Sequence, residues 1–128
     1  MANTKNFLGE ISREIDDFMG TEFIYATSNV VPNRSDAGLT FGRGQIKKGK
    51  EINTCVLYVD IRNSVKLTEK HHNKTMAKIY TVFTNGVIKA AKRYNGHIRN
   101  IIGDRVMIIF KPDNCFIDSV DCAITINN

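Results

Sequence analysis

Proline and cysteine are scarce: the 128-residue chain has two of the first and three of the second. Cys55, Cys115 and Cys122 form an odd set without CxxC spacing. That argues against a structural zinc site, and the three read as buried small hydrophobes in a reducing cytosol. No apolar run approaches the ~20 residues of a membrane span. The opening MANTKNFLGEISREIDDF is polar and amphipathic, unlike a signal peptide, so a cytoplasmic protein without membrane attachment is expected. Nucleic-acid-binding motifs and interleaved aromatic stripes are also missing. The net charge of +5 therefore reads as solvated faces or attraction for a small phosphorylated ligand, with no nucleic acid partner. Much of that charge sits in GRGQIKKGK (Arg43, Lys47, Lys48, Lys50) and on Lys74, Lys78, Lys89, Lys92 and Arg93.

What the chain does have is one domain's worth of residues, enough to bury roughly two thirds of its unfolded surface. Phe7, Leu8, Ile11, Ile15, Phe18 and Met19 share one face of a helix predicted over 4–19, with Gly20 as its stop. That face suits either the domain's own core or a partner protomer. From Thr21 to Lys50 periodicity is lost and glycines gather, which predicts a long connector. Residues 54–61 predict a strand with little alternation, covered on both faces. A helix with a broken start follows. Its period runs through Met76, Ile79, Tyr80, Phe83, Val87 and Ala91, and Asn95-Gly96 supplies a left-handed cap. Runs 97–102 and 105–110 flank Gly103-Asp104, a type II′ hairpin signal. Residues 115–127 read as a last helix. The boundaries drawn are 1–50 for helix and connector and 51–128 for the α/β (α+β) layer.

TCVLYVDIRNS ends an apolar run on Asp60, and RNIIGDRVMIIF interrupts another with Asp104. An ionised carboxylate beside a buried strand needs something to share its charge. In a strand–helix–strand–strand–helix order, Asp60 ends what should be the central strand and Asp104 tips the adjacent hairpin. Two carboxylates at one sheet edge can share divalent ions with phosphate oxygens, the arrangement that phosphoryl and nucleotidyl transfer use. Turn aspartates are also common for local reasons, so spacing alone leaves both readings open.

VLYVDIRNSVKL and YNGHIRNIIGDRVMIIF resemble the two metal-binding stretches of class III nucleotide cyclases, the adenylate and guanylate cyclase superfamily, from about Glu51 to Asn128. LYVDIRNS, RNIIGDRVM and the upstream VPNRSDAGLTFGRG…KKGKEI are similar to the pyrimidine cyclases of bacterial Pycsar anti-phage systems. These make a cyclic UMP or cyclic CMP messenger that activates an effector. The resemblance implies a ferredoxin-like βαββαβ core, present here as its N-terminal half behind an N-terminal helix. It implies that Asp60 and Asp104 bridge two Mg²⁺ or Mn²⁺ ions, with the Ile61 carbonyl as a further ligand. Arg62, Asn63 and Ser64 would then offer backbone N–H groups to phosphate oxygens. Val65 stands where many members have Thr, which puts one hydroxyl contact in doubt.

Base choice in this family involves the position matched by Asn100, where adenylate cyclases carry Lys and guanylate cyclases Glu. An amide suits neither purine set and can pair with uracil or, flipped, with cytosine. Tyr58 shares strand parity with Asp60 and is a candidate for the base pocket, or else a core aromatic. Arg99 and Arg105 flank the region as substrate-binding candidates or surface residues; Arg105 would orient Asp104 or the phosphates. The family works as homodimers with composite sites, in which the domain's second half supplies an Asn and an Arg. Neither is matched in this chain, so these residues alone are expected to turn over weakly. The alternatives are an adenylate or guanylate cyclase with an unusual base pocket, and a non-catalytic nucleotide-binding or dimerisation domain. A diguanylate cyclase is excluded by the lack of a GGDEF-like stretch.

Overall fold

The computed structural model describes residues 4–40 and 46–128. Arg43, one of the cations noted above, lies outside them. The described chain is a mixed α and β structure that divides into two compact units, residues 1–28 with 32–51 and residues 29–31 with 52–128.

The first unit opens with α1 (Thr4–Met19), which ends at the glycine stop where Gly20 N–H donates to Asp16 O at 3.0 Å. Phe7, Leu8, Ile15 and Met19 on its apolar stripe are exposed. The expected connector contains two strands instead, β1 (Phe23–Thr27) and β2 (Lys47–Glu51), paired in parallel from Phe23–Lys47 to Thr27–Glu51. FIYAT carries the β-branched and aromatic residues strands favour. KKGKE does not, and becomes a strand through its partner rather than its propensity. Thr40 helps to hold it: its hydroxyl donates to Ile46 O at 2.9 Å and accepts from Lys48 N–H at 2.7 Å. The buried Lys47 amine lies 5.4 Å over the Phe18 ring, a cation–π contact.

The second unit holds β3 (Val56–Val59), α2 (Ser64–Lys70), α3 (Asn73–Arg93), β4 (Gly96–Ile102), β5 (Arg105–Phe110) and α4 (Cys115–Asn127). The broken helical start is real: α2 stops at His71, and α3 restarts after His72 in an extended conformation. Asn95, at φ 57°, is the left-handed residue that ends α3 and turns the chain into β4. Gly96 follows because there is no room for more: an added Cβ would sit 2.7 Å from Ile108 Cγ2 and 3.1 Å from the Ala91 carbonyl. The β4–β5 turn has Gly103 at φ 60°, with Ile102 and Arg105 closing the ladder. A positive φ at the first turn position alone is the type II′ pattern.

The sheet order is β3-β5-β4, antiparallel throughout. This corrects two expectations. β5 is the central strand and β3 lies at an edge, because the hairpin's return strand inserts between β3 and β4. Nor is β3 covered on both faces: its exposure alternates along the strand. The covered face carries Val106, Ile108 and Phe110, all at 0% exposure, packed with Val87, Ala91, Cys115 and Cys122. Burying Val, Ile and Phe side chains stabilises by about 1.5–3 kcal/mol each, so this face anchors the unit. Cys115 and Cys122 are buried as expected, and Cys55 is half-buried. Burial pushes both buried thiols above their ordinary value, with a neighbouring Cys55 hydrogen bond adding to the rise at Cys115.

Candidate functional site

The opposite face of the same sheet is open. In register, Tyr58 stands opposite Met107, and Met107 opposite Asn100. One step along, Ile102 stands opposite Arg105, with Asp60 following the last paired residue of β3. These six residues line a recess of about 520 Å³. Tyr58 and Ile102 are 60% and 66% exposed, so the floor is apolar but uncovered. The Tyr58 hydroxyl reaches Met107 Sδ at 3.3 Å, which holds the ring along the middle of the row.

Asn100 reaches this face through an irregularity. Ile98 pairs with Ile108 and Asn100 with Met107, leaving Arg99 as an extra residue in β4. Strict alternation would give Asn100 the same face as Ile98, which packs against the core. A one-residue bulge reverses the parity downstream. Asn100 and Ile102 thereby join Tyr58 on the open side. Arg99 is not brought into that recess. It lines a different one, with His97 and Lys111.

Asp60 lines the end of the recess nearest the hairpin turn, and Asp104, in that turn, does not line it. Asp60 accepts a 3.3 Å hydrogen bond from the Arg105 guanidinium. Both partners are well exposed, so this bridge is worth at most about 1 kcal/mol. Arg105 therefore pairs directly with Asp60, while its charge also acts on Asp104. The Ser64 hydroxyl is the strongest influence holding the Asp104 carboxyl below the usual aspartate value. Partial burial opposes that lowering, whereas Asp104's own N–H, a hydrogen bond with the Asp60 carboxyl and the Arg105 charge reinforce it. Asp60 is thus near enough to act on Asp104. A pair of neighbouring carboxylates suits a shared divalent cation.

Local backbone explains the assembly. Asn63 takes the left-handed conformation, φ 59°, between the end of β3 and α2. That sharp turn sets Ser64 at the first position of α2, where its hydroxyl helps to lower the Asp104 carboxyl. Ile61, Arg62 and Asn63 form the link from Asp60 to Ser64 and do not line the recess. No group of three or more His, Cys, Asp or Glu side chains able to hold a metal occurs among the described residues. Two carboxylates are nonetheless a sufficient protein share for Mg²⁺, which takes its other ligands from phosphate and water.

Two lining residues, Ile102 and Met107, escaped the sequence reading. RVMIIF is apolar on both parities, so nothing in it distinguishes the open face from the buried one. The signal available was indirect: Met107 shares parity with Arg105, the charged member of the strand.

The site is thus a carboxylate pair at the end of an open, amide-bearing sheet face in a mixed α and β unit. No protein-family model matches the chain. It is 25% identical over 117 residues to a protein of Rhodovulum sp. (strain MB263) named uridylate cyclase, a match covering 91% of this chain and 46% of the relative. The chain spans about half the length of that curated relative. No helix among the described residues is long and apolar enough to cross a membrane.

Proposed function

We propose that this chain carries the metal- and base-binding half of a pyrimidine nucleotide cyclase, making 3′,5′-cyclic UMP, or cyclic CMP, from the triphosphate. The observation that carries the reading is the row Tyr58–Met107–Asn100 with Asp60 in one recess, and Asp104 in the hairpin turn beside it. The base would lie along the row with its polar edge at the Asn100 amide. The triphosphate would extend toward the carboxylates. Likeness to a protein named uridylate cyclase supports the same substrate class.

The strand order β3-β5-β4 suits a ferredoxin-like βαββαβ core of the class III cyclase kind. In the reaction the ribose 3′-oxygen bonds to the α-phosphorus as the bond to the β-phosphate's bridging oxygen breaks. Pyrophosphate leaves, and the hydroxyl proton passes to solvent. Asp60 and Asp104 would hold two Mg²⁺ or Mn²⁺ ions, with the Ile61 carbonyl as a further ligand. When bound, these ions supply charge stabilisation and a more acidic 3′-hydroxyl. The chain's own part is to set the carboxylates at one point, through the Asn63 turn and the Gly103 hairpin, and to orient the base. Arg62, Asn63 and Ser64 would contact the phosphates. The Ser64 hydroxyl would also favour the ionised form of Asp104, and Arg105 donates to Asp60. A homodimer with composite sites completes this reading. The exposed apolar stripe of α1 is consistent with a partner surface. The product would be a cytoplasmic messenger in bacterial anti-phage defence.

The test is incubation of the whole protein with all four nucleoside triphosphates and Mn²⁺, with products identified by mass spectrometry. Cyclic UMP or cyclic CMP is expected to dominate. Dominant cyclic AMP or cyclic GMP overturns the pyrimidine assignment, and no cyclic product at all overturns the cyclase reading.

A further inference from the structure

The other end of the β4–β5 ladder carries the opposite charge. Its Gly96–Phe110 pair lies six residue steps from the Ile102–Arg105 pair, about 20 Å at the usual strand rise. There a second recess of about 420 Å³ is formed by Lys92, Asn95, Gly96, His97, Ile98, Arg99 and Lys111. It holds three permanent cations and one imidazole, and no carboxylate lines it. The Asp118 carboxylate accepts from the Asn95 amide at 3.1 Å and so faces that amide.

Three features make this more than a solvated charged face. The cations come from three places in the chain: the end of α3, the bulge of β4 and the residue after β5. They converge only in the fold. The β-bulge that sends Asn100 to the open face gives β4 one residue more than β5 at Arg99, and Arg99 lines this recess. β4 is also an edge strand of its sheet, so its outer backbone groups border solvent on that side. Burial and the charges of Arg99 and Lys111 hold His97 below its usual value. Both cations are therefore close enough to act on the ring.

We propose that this recess is a binding site for a compact oligophosphate, separate from the carboxylate site and needing no divalent ion. Three cations call for a ligand of several negative charges, which one carboxylate does not supply. Arg and Lys are the residues that recognise phosphate, Arg by its planar fork and Lys as a point charge. The Asn95 amide and the His97 ring supply neutral polar contacts at the rim. The inference stands on the recess itself and does not depend on the cyclase reading.

The test uses inorganic pyrophosphate as probe, titrated by NMR into the protein with EDTA present, so that no ion can bridge it to Asp60 and Asp104. Shift changes are expected at the His97 ring and the Asn95, Gly96 and Lys111 amides, weakening as salt is raised. The double variant Lys92→Gln/Lys111→Gln removes two exposed cations and should keep the wild-type melting temperature. It should lose at least about tenfold in affinity, since a contact to a charged group carries that much. UTP without metal should compete for the same resonances, which identifies the phosphate chain as the recognised part. The proposal is overturned if pyrophosphate causes no shifts here, or only shifts around Asp60 and Asp104. It is equally overturned if the double variant binds as the wild type does. Length-dependent binding of an RNA oligomer at these residues, much tighter than pyrophosphate, would overturn it in favour of a nucleic-acid surface.

Discussion

Along β5, Val106, Ile108 and Phe110 are sealed beneath α3 and α4, while Arg105 and Met107 alternate with them onto an open recess. Across the sheet the same division holds: Leu57, Val59 and Ile98 pack on the core, and Tyr58 and Asn100 do not. The two faces share strands, hydrogen bonds and much of their composition. They differ in what covers them. On the helical side an apolar residue contributes to stability; on the open side the same kind of residue forms a floor for a ligand. A protein built this way can vary its recess at little cost to its fold, because each face is one parity of the same three strands.

That comparison can be broken or sharpened by substitution. The largest effect should come from the open face. Asp60→Asn or Asp104→Asn in the whole protein should reduce cyclisation by at least roughly 10²–10³-fold, the usual scale for losing one electrostatic element of a transition-state clamp. Urea midpoints should stay close to wild type, because Asp60's bridge is exposed. Near-normal turnover with Mg²⁺ or Mn²⁺ would remove the carboxylates from the mechanism.

Next in size is the covered face. Phe110→Ala should cost about 3–5 kcal/mol of stability through lost burial and an unfilled cavity, read by urea denaturation. Tyr58→Ala, at the same depth in the sheet but on the open side, should cost far less. Equal losses would mean that the two faces are not distinct.

Deleting Arg99 tests the link between the faces. Without the extra residue the ladder is regular: Asn100 follows Ile98 directly and still stands opposite Met107 on the open face. Base preference should therefore be kept, with a change in stability of no more than about 1 kcal/mol. Arg99→Ala, which keeps the residue count and the bulge, should preserve both as well. Loss of base preference in the deletion alone would mean that the register downstream of Ile98 is not the one that directs Asn100.

The smallest effect lies in the first unit, which has no such division. Lys50 donates a hydrogen bond that, as the main cause, holds Asp36 below its usual value of 3.8, helped by the Gly38 N–H at 2.8 Å. A folded value below the unfolded one makes its contribution complete above about pH 4 and lost as pH falls through the folded value. Asp36→Asn should therefore lower the melting temperature slightly at pH 7 and leave it unchanged at the acid end. A difference that grew on acidification would contradict the assigned direction.

Much of this is readable in the sequence. The bounds of α1, a broken start to the long helix, the Asn95 cap and the Gly103 turn follow from periodicity and from residues that tolerate positive φ; the place of the break, His71-His72, does not. Both carboxylates were legible as misfits beside apolar runs. β1 and β2 were not legible, because they join segments far apart in sequence and KKGKE has no strand character of its own. Nor was the lining role of Met107, since both parities of RVMIIF are apolar.

Sequence alone determined the elements of the second unit, because each rests on contacts within a few residues: a helical period, a cap, a tight turn. Only the tertiary structure decided which strand is central, which face is covered, and that Asn100 and Tyr58 look the same way. Those depend on a register across three strands, and one extra residue, Arg99, shifts it by the half-period that exchanges the two faces.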